Sequence, residues 1–557
     1  MGTAAPDHAK KVSMELSQSA HVDTFCRDHL PPPDQWPELL LDFPDVQYPD
    51  RLNCAVELLD RVVEGGGNER TCLLSPDGTA WTYADLLRTA NQVAHVLVDD
   101  LGVVPGNRVL LRAPNNPWLV ACWMAVIKAG AVAVTTMPLL RSRELATVSE
   151  IARVRLALTD HRFLSELEAA QVPDLVVVPV GGDAPDDLTR RVAGRSGEFQ
   201  NVMTAADDVA LLAFTSGTTG RPKATMHFHR DVLATADTFS KHVLRPEPDD
   251  VFTGTPPLGF TFGLGGLVIF PFRVGASTLL IEKASPTELA ELIEKHEVTV
   301  CFTAPTAYRA MVASGKGHVL SKLRRAVSAG EHLPEATWRA IYEETGLRLI
   351  DGIGSTEMLH IFVGAADQDI RPGSTGRPVP GYIATILDDD GNPAPDGEIG
   401  RLAVKGPTGC RYLADPRQQV YVQGGWNVTG DTFLRDQDGY FWYQARSDDM
   451  IISGGYNIAG PEVEEALLAH DHVAECGVVG VEDEARGQVV KAYVVLAPGV
   501  EASESEARLL QDFVKSRIAP YKYPRLLDFA DALPRTATGK LQRFRLRDLS
   551  DSSVTGA

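Results

Sequence analysis

Short β-branched runs alternating with helical stretches fill the chain from about residue 53 onward, and no other feature restricts its fold as strongly. RVLLRAP, AVAVTT, VRLALT, DLVVVPV, VALLAF, STLLIE and VTVCFTAP read as strands, and stretches such as SPTELAELIEKH between them read as helices. Strands separated by helices predict an α/β fold with mostly parallel sheets, whose ligands gather at strand ends. Residues 118–140 are the most apolar stretch, but Lys128 and Gly130 interrupt it. It is predicted to be a buried helix running into a short strand, not a membrane span. The first fifty residues, with PPPDQWP and DFPDVQYPD, predict a Pro-rich wrap over the surface, and residues 181–201 an exposed connection.

After about residue 386 the texture changes to short strands separated by Asp/Gly turns, as in ILDDDGNPAPDGEIGRLAVKG and FLRDQDGYFWYQAR, which predicts antiparallel β structure. Beyond Arg446 a different unit follows, with a helix opening GPEVEEALLAH, a strand VVKAYVVL and a helix SESEARLLQDFVKSRI. Two domains are expected: a large one over residues 1–447 and a small α+β one over 448–557, with the boundary at Asp448.

Composition narrows the function classes. Lys plus Arg number 53 and Asp plus Glu 74, a net charge of −21, and no basic tract is present. Such a chain is not expected to partner nucleic acid or an anionic membrane, although a local site for one small anion is compatible with it. The seven Cys are scattered, odd in number and without a CxxC pair. That argues against a zinc site or a disulfide framework and predicts a reducing compartment. The opening residues lack the apolar core of a signal peptide, so a cytoplasmic location is expected.

The segment Thr215-Ser216-Gly217-Thr218-Thr219-Gly220-Arg221-Pro222-Lys223 directly follows the apolar run VALLAF. Gly and small hydroxyl residues let backbone N–H groups approach phosphate oxygens, and Lys223 supplies charge. It is not a Walker A loop, because Pro222 stands where that motif needs Gly and Ala224 where it needs a hydroxyl. Gly354-Ser355-Thr356-Glu357 offers a carboxylate suited to a hard cation that bridges phosphates. Read alone, Lys540 in Pro534-Arg-Thr-Ala-Thr-Gly-Lys540 would be a solvated tip of a Gly turn.

The phosphate loop resembles that of the acyl-adenylate-forming superfamily, which comprises acyl-CoA synthetases, carrier-protein-loading adenylation domains and luciferases. Ala224 departs from the Gly usual there. The other motifs of that superfamily follow in order across nearly the whole chain. The resemblance implies that Thr356 contacts phosphate and Glu357 holds Mg²⁺. It implies that Ala329, Gly330 and Glu331 lie along the adenine and that Asp431 and Arg446 hold the ribose. Asp448 would be a hinge, Lys540 a swinging lysine that acts during adenylation, and Ser453, Gly454 and Gly455 the wall of a pantetheine tunnel. The implied architecture is a large N-terminal domain of parallel-rich sheets with a distorted β-barrel, followed by a small mobile C-terminal domain.

Asp351-Gly-Ile-Gly-Ser-Thr-Glu-Met-Leu-His-Ile-Phe362 and Pro257-Leu-Gly-Phe-Thr-Phe-Gly-Leu-Gly265 look like benzoate- and aminobenzoate-CoA ligases. That likeness implies an acid pocket built from Phe260, Thr261, Phe262, Gly352, His360 and Ile361. Thr261 replaces an Ala typical of benzoate ligases, and its hydroxyl suits an amino or hydroxyl ring substituent. His227 and His229 either face the acid or begin the next helix. The expected reaction uses ATP, Mg²⁺ and CoA to turn an aromatic carboxylic acid into an aryl-adenylate and then an aryl-CoA, in a monomer or homodimer. A stand-alone enzyme that loads a carrier protein is the alternative. A non-catalytic nucleotide-binding regulator is disfavoured by the full set Lys223, Glu357, Asp431, Arg446 and Lys540.

Overall fold

The computed structural model describes residues 16–215, 222–446, 449–453, 456–483, 486–518, 520–535 and 541–554. Two large sheets dominate. The first runs, in spatial order, Val176–Val180, Leu156–Asp160, Arg108–Arg112, Val132–Thr136, Val209–Thr215 and Lys223–Phe228. Its first five strands are parallel and the last turns back antiparallel. Arg108–Arg112, Val132–Thr136 and Leu156–Asp160 are buried along their whole length. That explains why they read as continuous apolar runs: a parallel strand covered on both faces has no solvent side to mark by alternation.

The helix expected in the apolar stretch is Pro117–Lys128, and it leads into strand Val132–Thr136. Asn116 caps it by accepting from the Leu119 N–H, with Pro at the first turn. Its closing residue, Lys128, is fully buried and sits 2.6 Å from Asp60. The segment 181–201 is an exposed or half-buried connection for most of its length, with Asp187, Leu188 and Val192 buried. Asp187 accepts from the backbone N–H groups of Gly181, Gly182 and Thr189, which folds the stretch around the short helix Leu188–Arg191. A short polar side chain thus satisfies its own backbone and orders the connection.

The second sheet runs Arg377–Pro378, Ile361–Gly364, Ile350–Gly354, Arg325–Ser328, Val300–Thr303, Val251–Gly254, Ser277–Leu279, Thr71–Leu74 and Ala80–Thr82. Its centre is parallel and both edges are antiparallel. A five-stranded antiparallel sheet follows, built from Ile383–Leu387, Ile399–Lys405, Trp426–Arg435, Val422–Gln423 and Phe441–Arg446. It stands where the resemblance implies a distorted barrel. The Pro-rich N-terminal run lies against it: the Glu38 N–H donates to Gly425 and the Leu40 N–H to Gly406.

The last unit is a sheet of Tyr456–Ile458, Ile451–Ser453, Gly487–Leu496, Val473–Asp483 and Leu526–Phe529. Helices Gly460–Leu468 and Glu504–Arg517 accompany it, and a separate core joins Ile451, Val463, Leu467, Val478, Val490 and Leu510. Pro461 lies in the first turn of its helix, as the sequence predicts. Asp448 lies outside the described residues. Among the described residues no helix is long and apolar enough to cross a membrane.

Candidate active site

The chemistry-bearing residues meet where the ends of the two large sheets face each other. Strands Val209–Thr215 and Lys223–Phe228 form an antiparallel pair in which Thr215 and Lys223 lie opposite. The hairpin therefore returns Lys223 to the strand end from which the phosphate loop departs. Ser216, Gly217, Thr218, Thr219 and Gly220 of that loop lie outside the described residues. From the second sheet, Ile350–Gly354 delivers Ser355, Thr356 and Glu357 into a 3₁₀ turn, where the Ser355 hydroxyl accepts from the Met358 N–H.

Lys223 and Glu357, distant in sequence, are brought into contact: the ammonium is 3.0 Å from Glu357 Oε1. The Tyr412 phenol donates to the same oxygen at 2.5 Å and accepts from Lys223. The Lys223 Nζ lies 4.3 Å from the Tyr412 ring centroid and 5.5 Å from that of Tyr421, whose hydroxyl is 3.0 Å from Ser355 Oγ. Aromatic faces attract a cation, so the lysine sits in a cage that holds it at the carboxylate. Neither tyrosine was predicted, because each gains its meaning only from partners far away in the chain.

His227 belongs to this cluster and His229 does not. His227 Nε2 is 2.8 Å from the Thr356 carbonyl oxygen, which can only accept, so the proton is on Nε2. Burial, with the nearby Arg411 charge, pushes His227 down to about 3, and it stays neutral. His229 instead takes the Cys54 N–H on Nδ1 and opens the helix His229–Thr235. Beneath them Arg411 and Asp231 form an ion pair with both side chains fully buried, and Arg411 lies 4.0 Å over the Phe228 ring. Asp231 also accepts from the Phe228 N–H.

The acid-pocket residues have the opposite character. After Glu357 the chain reverses through Leu359, at φ 70°, and returns as Ile361–Gly364 against Ile350–Gly354. Gly354 permits this, since a Cβ there would stand 2.6 Å from the His360 carbonyl oxygen. The buried His360 imidazole is ringed by Phe270 at 4.5 Å, Phe239 at 5.6 Å, Phe262 at 5.7 Å and Phe302 at 6.4 Å between centroids. Burial pushes it down to about 3 against the pull of the Phe262 backbone. Burial likewise raises the Asp351 carboxyl well above the usual carboxylate range. The neutral His360 places no charge among these rings. Gly352 faces Ile361, whose side chain would be 2.8 Å from a Cβ there, and the partly buried Phe260, Thr261 and Phe262 enter the short helix Thr261–Leu264. Phe239 and Phe302 are further wall residues that the sequence did not mark.

Of the remaining predicted residues, some lie on strands or turns and others fall outside the described residues. Asp431 and Arg446 are register partners on adjacent strands, although fifteen positions separate them in the chain. Ala329, Gly330 and Glu331 follow strand Arg325–Ser328, with Gly330 at φ +89°. Glu331 is 3.3 Å from Arg535 of the C-terminal unit, and Arg535 also reaches Glu475 at 2.9 Å. Ser453 is buried at the end of its strand, whereas Gly454, Gly455, Asp448 and Lys540 lie outside the described residues. A cavity of about 360 Å³, lined by Trp118, Cys122, Asp160 and Arg162 among others, includes none of the predicted site residues.

Comparison with known proteins agrees with this geometry. Residues 59–412 match the model of the AMP-binding enzyme family, and residues 462–540 match that of the AMP-binding enzyme C-terminal domain. A benzoate–CoA ligase of Thauera aromatica is 36% identical over 515 residues, spanning 90% of this chain and 97% of the relative. The crystal structure of the anthranilate CoA ligase AuaEII in complex with anthranoyl-AMP superposes with a TM-score of 0.87 at 35% identity, covering 92% of this chain and 99% of that one. A benzoate CoA ligase from Burkholderia xenovorans LB400 gives a TM-score of 0.81 at 31% identity, covering 89% and 100%. The chain belongs to the AMP-binding enzyme family, within the acyl-adenylate-forming superfamily, and is an AMP-forming acid–thiol ligase.

Proposed function

We propose that this chain activates an aromatic carboxylic acid with ATP to an aryl-adenylate and transfers the aryl group to CoA, with 2-aminobenzoate or a hydroxylated benzoate as its preferred acid. The observation that carries the aryl reading is the wall of phenylalanine rings around a neutral His360, next to the side-chain-free Gly352. Flat rings pack edge-to-face against such walls, and the neutral imidazole adds no charge among them. The kinship with benzoate and anthranilate CoA ligases supports the same reading.

On the nucleotide side, Lys223 and the loop from Thr215 meet phosphate, Asp431 and Arg446 hold the ribose, and Ala329 to Glu331 flank the adenine. Among the described residues no group of three or more His, Cys, Asp or Glu forms a metal cage. One buried carboxylate, Glu357, fits a Mg²⁺ that brings phosphate oxygens as its other ligands. The cation would neutralise charge that develops on those oxygens. Residues 448–557 form the mobile small domain turning at Asp448. It presents Lys540 for adenylation and then Ser453 to Gly455 to the pantetheine thiol.

The test is a panel of substituted benzoates assayed with CoA and with a phosphopantetheinyl carrier protein as acceptors. The proposal expects 2-aminobenzoate or a hydroxybenzoate to exceed benzoate in kcat/KM with CoA. A preference for alkyl acids would reject the aryl reading, and transfer to the carrier protein alone would reject CoA.

A further inference from the structure

The sequence motifs leave out the residue at the middle of the charged cluster. Tyr412 is 1% exposed and rigidly mounted: its backbone N–H donates to Gln418 Oε1 at 2.8 Å, and Gln418 in turn donates to the Cys410 and Gln35 carbonyls. Residues 411–413 also run beside strand Lys223–Phe228, since the Met226 N–H donates to Arg411 and the Leu413 N–H to Ala224. The backbone on either side of Tyr412 is thus fixed to the strand that carries Lys223, which holds the phenol in place beside Glu357.

Both the Tyr412 hydroxyl and the Lys223 ammonium fall on the same oxygen, Glu357 Oε1. The pairing of Lys223 with Glu357 suits the protein without nucleotide, because each charge neutralises the other in a buried site. A polyphosphate and its divalent cation bring the opposite charges together and can take both partners at once.

We propose that Tyr412 is a positioning residue of the nucleotide site: its phenol keeps Glu357 Oε1 fixed while Lys223 exchanges carboxylate for phosphate and Glu357 exchanges lysine for the cation. This rests on reading Lys223 and Glu357 as nucleotide-side residues. Without the hydroxyl, the carboxylate loses its fixed orientation when Lys223 leaves, and affinity for the cation-bound nucleotide falls.

The experiment is calorimetric titration of the full chain with ATP in the absence of acid, at a series of Mg²⁺ concentrations, so that binding is read without turnover. Tyr412→Phe keeps the ring and removes the hydroxyl. The half-saturating Mg²⁺ is expected to rise about tenfold, the scale of one charge-assisted hydrogen bond, with KM for the acid unchanged. Tyr412→Gln restores a donor and should recover part of the cation dependence, which a purely structural role for the ring would not allow. An unchanged Mg²⁺ dependence in Tyr412→Phe overturns the proposal, as does failure of Gln to improve on Phe. Glu357→Gln serves as the reference: if it binds Mg·ATP as the parent does, the underlying assignment of Glu357 fails and the proposal falls with it, whereas a loss in Glu357→Gln with no change in Tyr412→Phe rejects the role of Tyr412 alone.

Discussion

Two regions beyond the end of strand Ile350–Gly354 solve burial in opposite ways. Toward Lys223 the chain buries charge: Glu357 is paired with lysine and phenol, and Arg411 with Asp231. Around His360 it buries rings and keeps the imidazole neutral. Each histidine is pushed to about 3, but His227 has a fixed carbonyl partner and His360 sits among phenylalanines. Under the proposed function, the charged half exchanges partners with an anionic ligand and the apolar half selects the shape of a ring. The first depends on complete pairing, the second on volume.

The largest expected effect breaks the charged half. Arg411→Met leaves Asp231 buried without its partner and should cost about 3–5 kcal/mol in urea unfolding, whereas Arg411→Met with Asp231→Leu should recover most of that. If the single and double variants are equally stable, the pair does not support the site. Lys540→Ala tests the adenylation role proposed for that lysine. Acyl-adenylate formation should fall roughly 10²–10³-fold while thioester formation from preformed aryl-adenylate stays near the parent rate. Equal losses in both steps would remove Lys540 from its proposed role.

A third measurement treats both halves alike. His227, His229 and His360 are held at about 3 and His332 at about 4 by burial, below the unfolded value near 6.5. Between pH 6.5 and those values the unfolded chain binds more protons than the folded one. Stability therefore falls as pH falls through that window and is insensitive to these groups above it. Each contributes a slope approaching about 1.4 kcal/mol per pH unit, and His360→Phe should remove one such contribution from the acid limb. An acid limb of unchanged steepness would show that His360 titrates in the folded protein.

The smallest expected effect sharpens the apolar half. If Thr261 partners a ring substituent, Thr261→Ala should shrink the preference for 2-aminobenzoate over benzoate by roughly tenfold and spare benzoate itself. His360→Ala should loosen selection among ring substituents, because it removes a wall. An unaltered ranking in Thr261→Ala would make the hydroxyl a packing group.

How much was legible follows the same division. Lys223 and Glu357 could be marked from the chemistry of their short motifs, because phosphate suits a cation beside Gly and small hydroxyl residues and a hard cation suits a carboxylate, whereas Asp431 and Arg446 were marked through likeness to the superfamily. Thr261, His360 and Ile361 could be marked only through likeness to aryl ligases. Phe239 and Phe302 could not be marked at all, since a buried aromatic ring has the same local sequence in any core. The exposed character of 181–201 was legible from its Gly/Asp-rich texture, but the burial of Asp187 within it was not, because that depends on backbone partners. Lys128 was read as an interruption of the apolar run, and the fold buries it against Asp60.

By itself the sequence determined the alternation that yields parallel sheets, the helix and strand at 117–136, the antiparallel texture after residue 386 and the order of the nucleotide motifs. Local periodicity and turn chemistry carry that information within a dozen residues. The tertiary structure alone decided that Lys223 rests on Glu357, that Tyr412 joins them, that His227 and His229 have different fates, and that four phenylalanines surround His360. Those contacts span tens to nearly two hundred residues. Their energies depend on burial and on the partner's geometry, and neither is written in the neighbourhood of either residue.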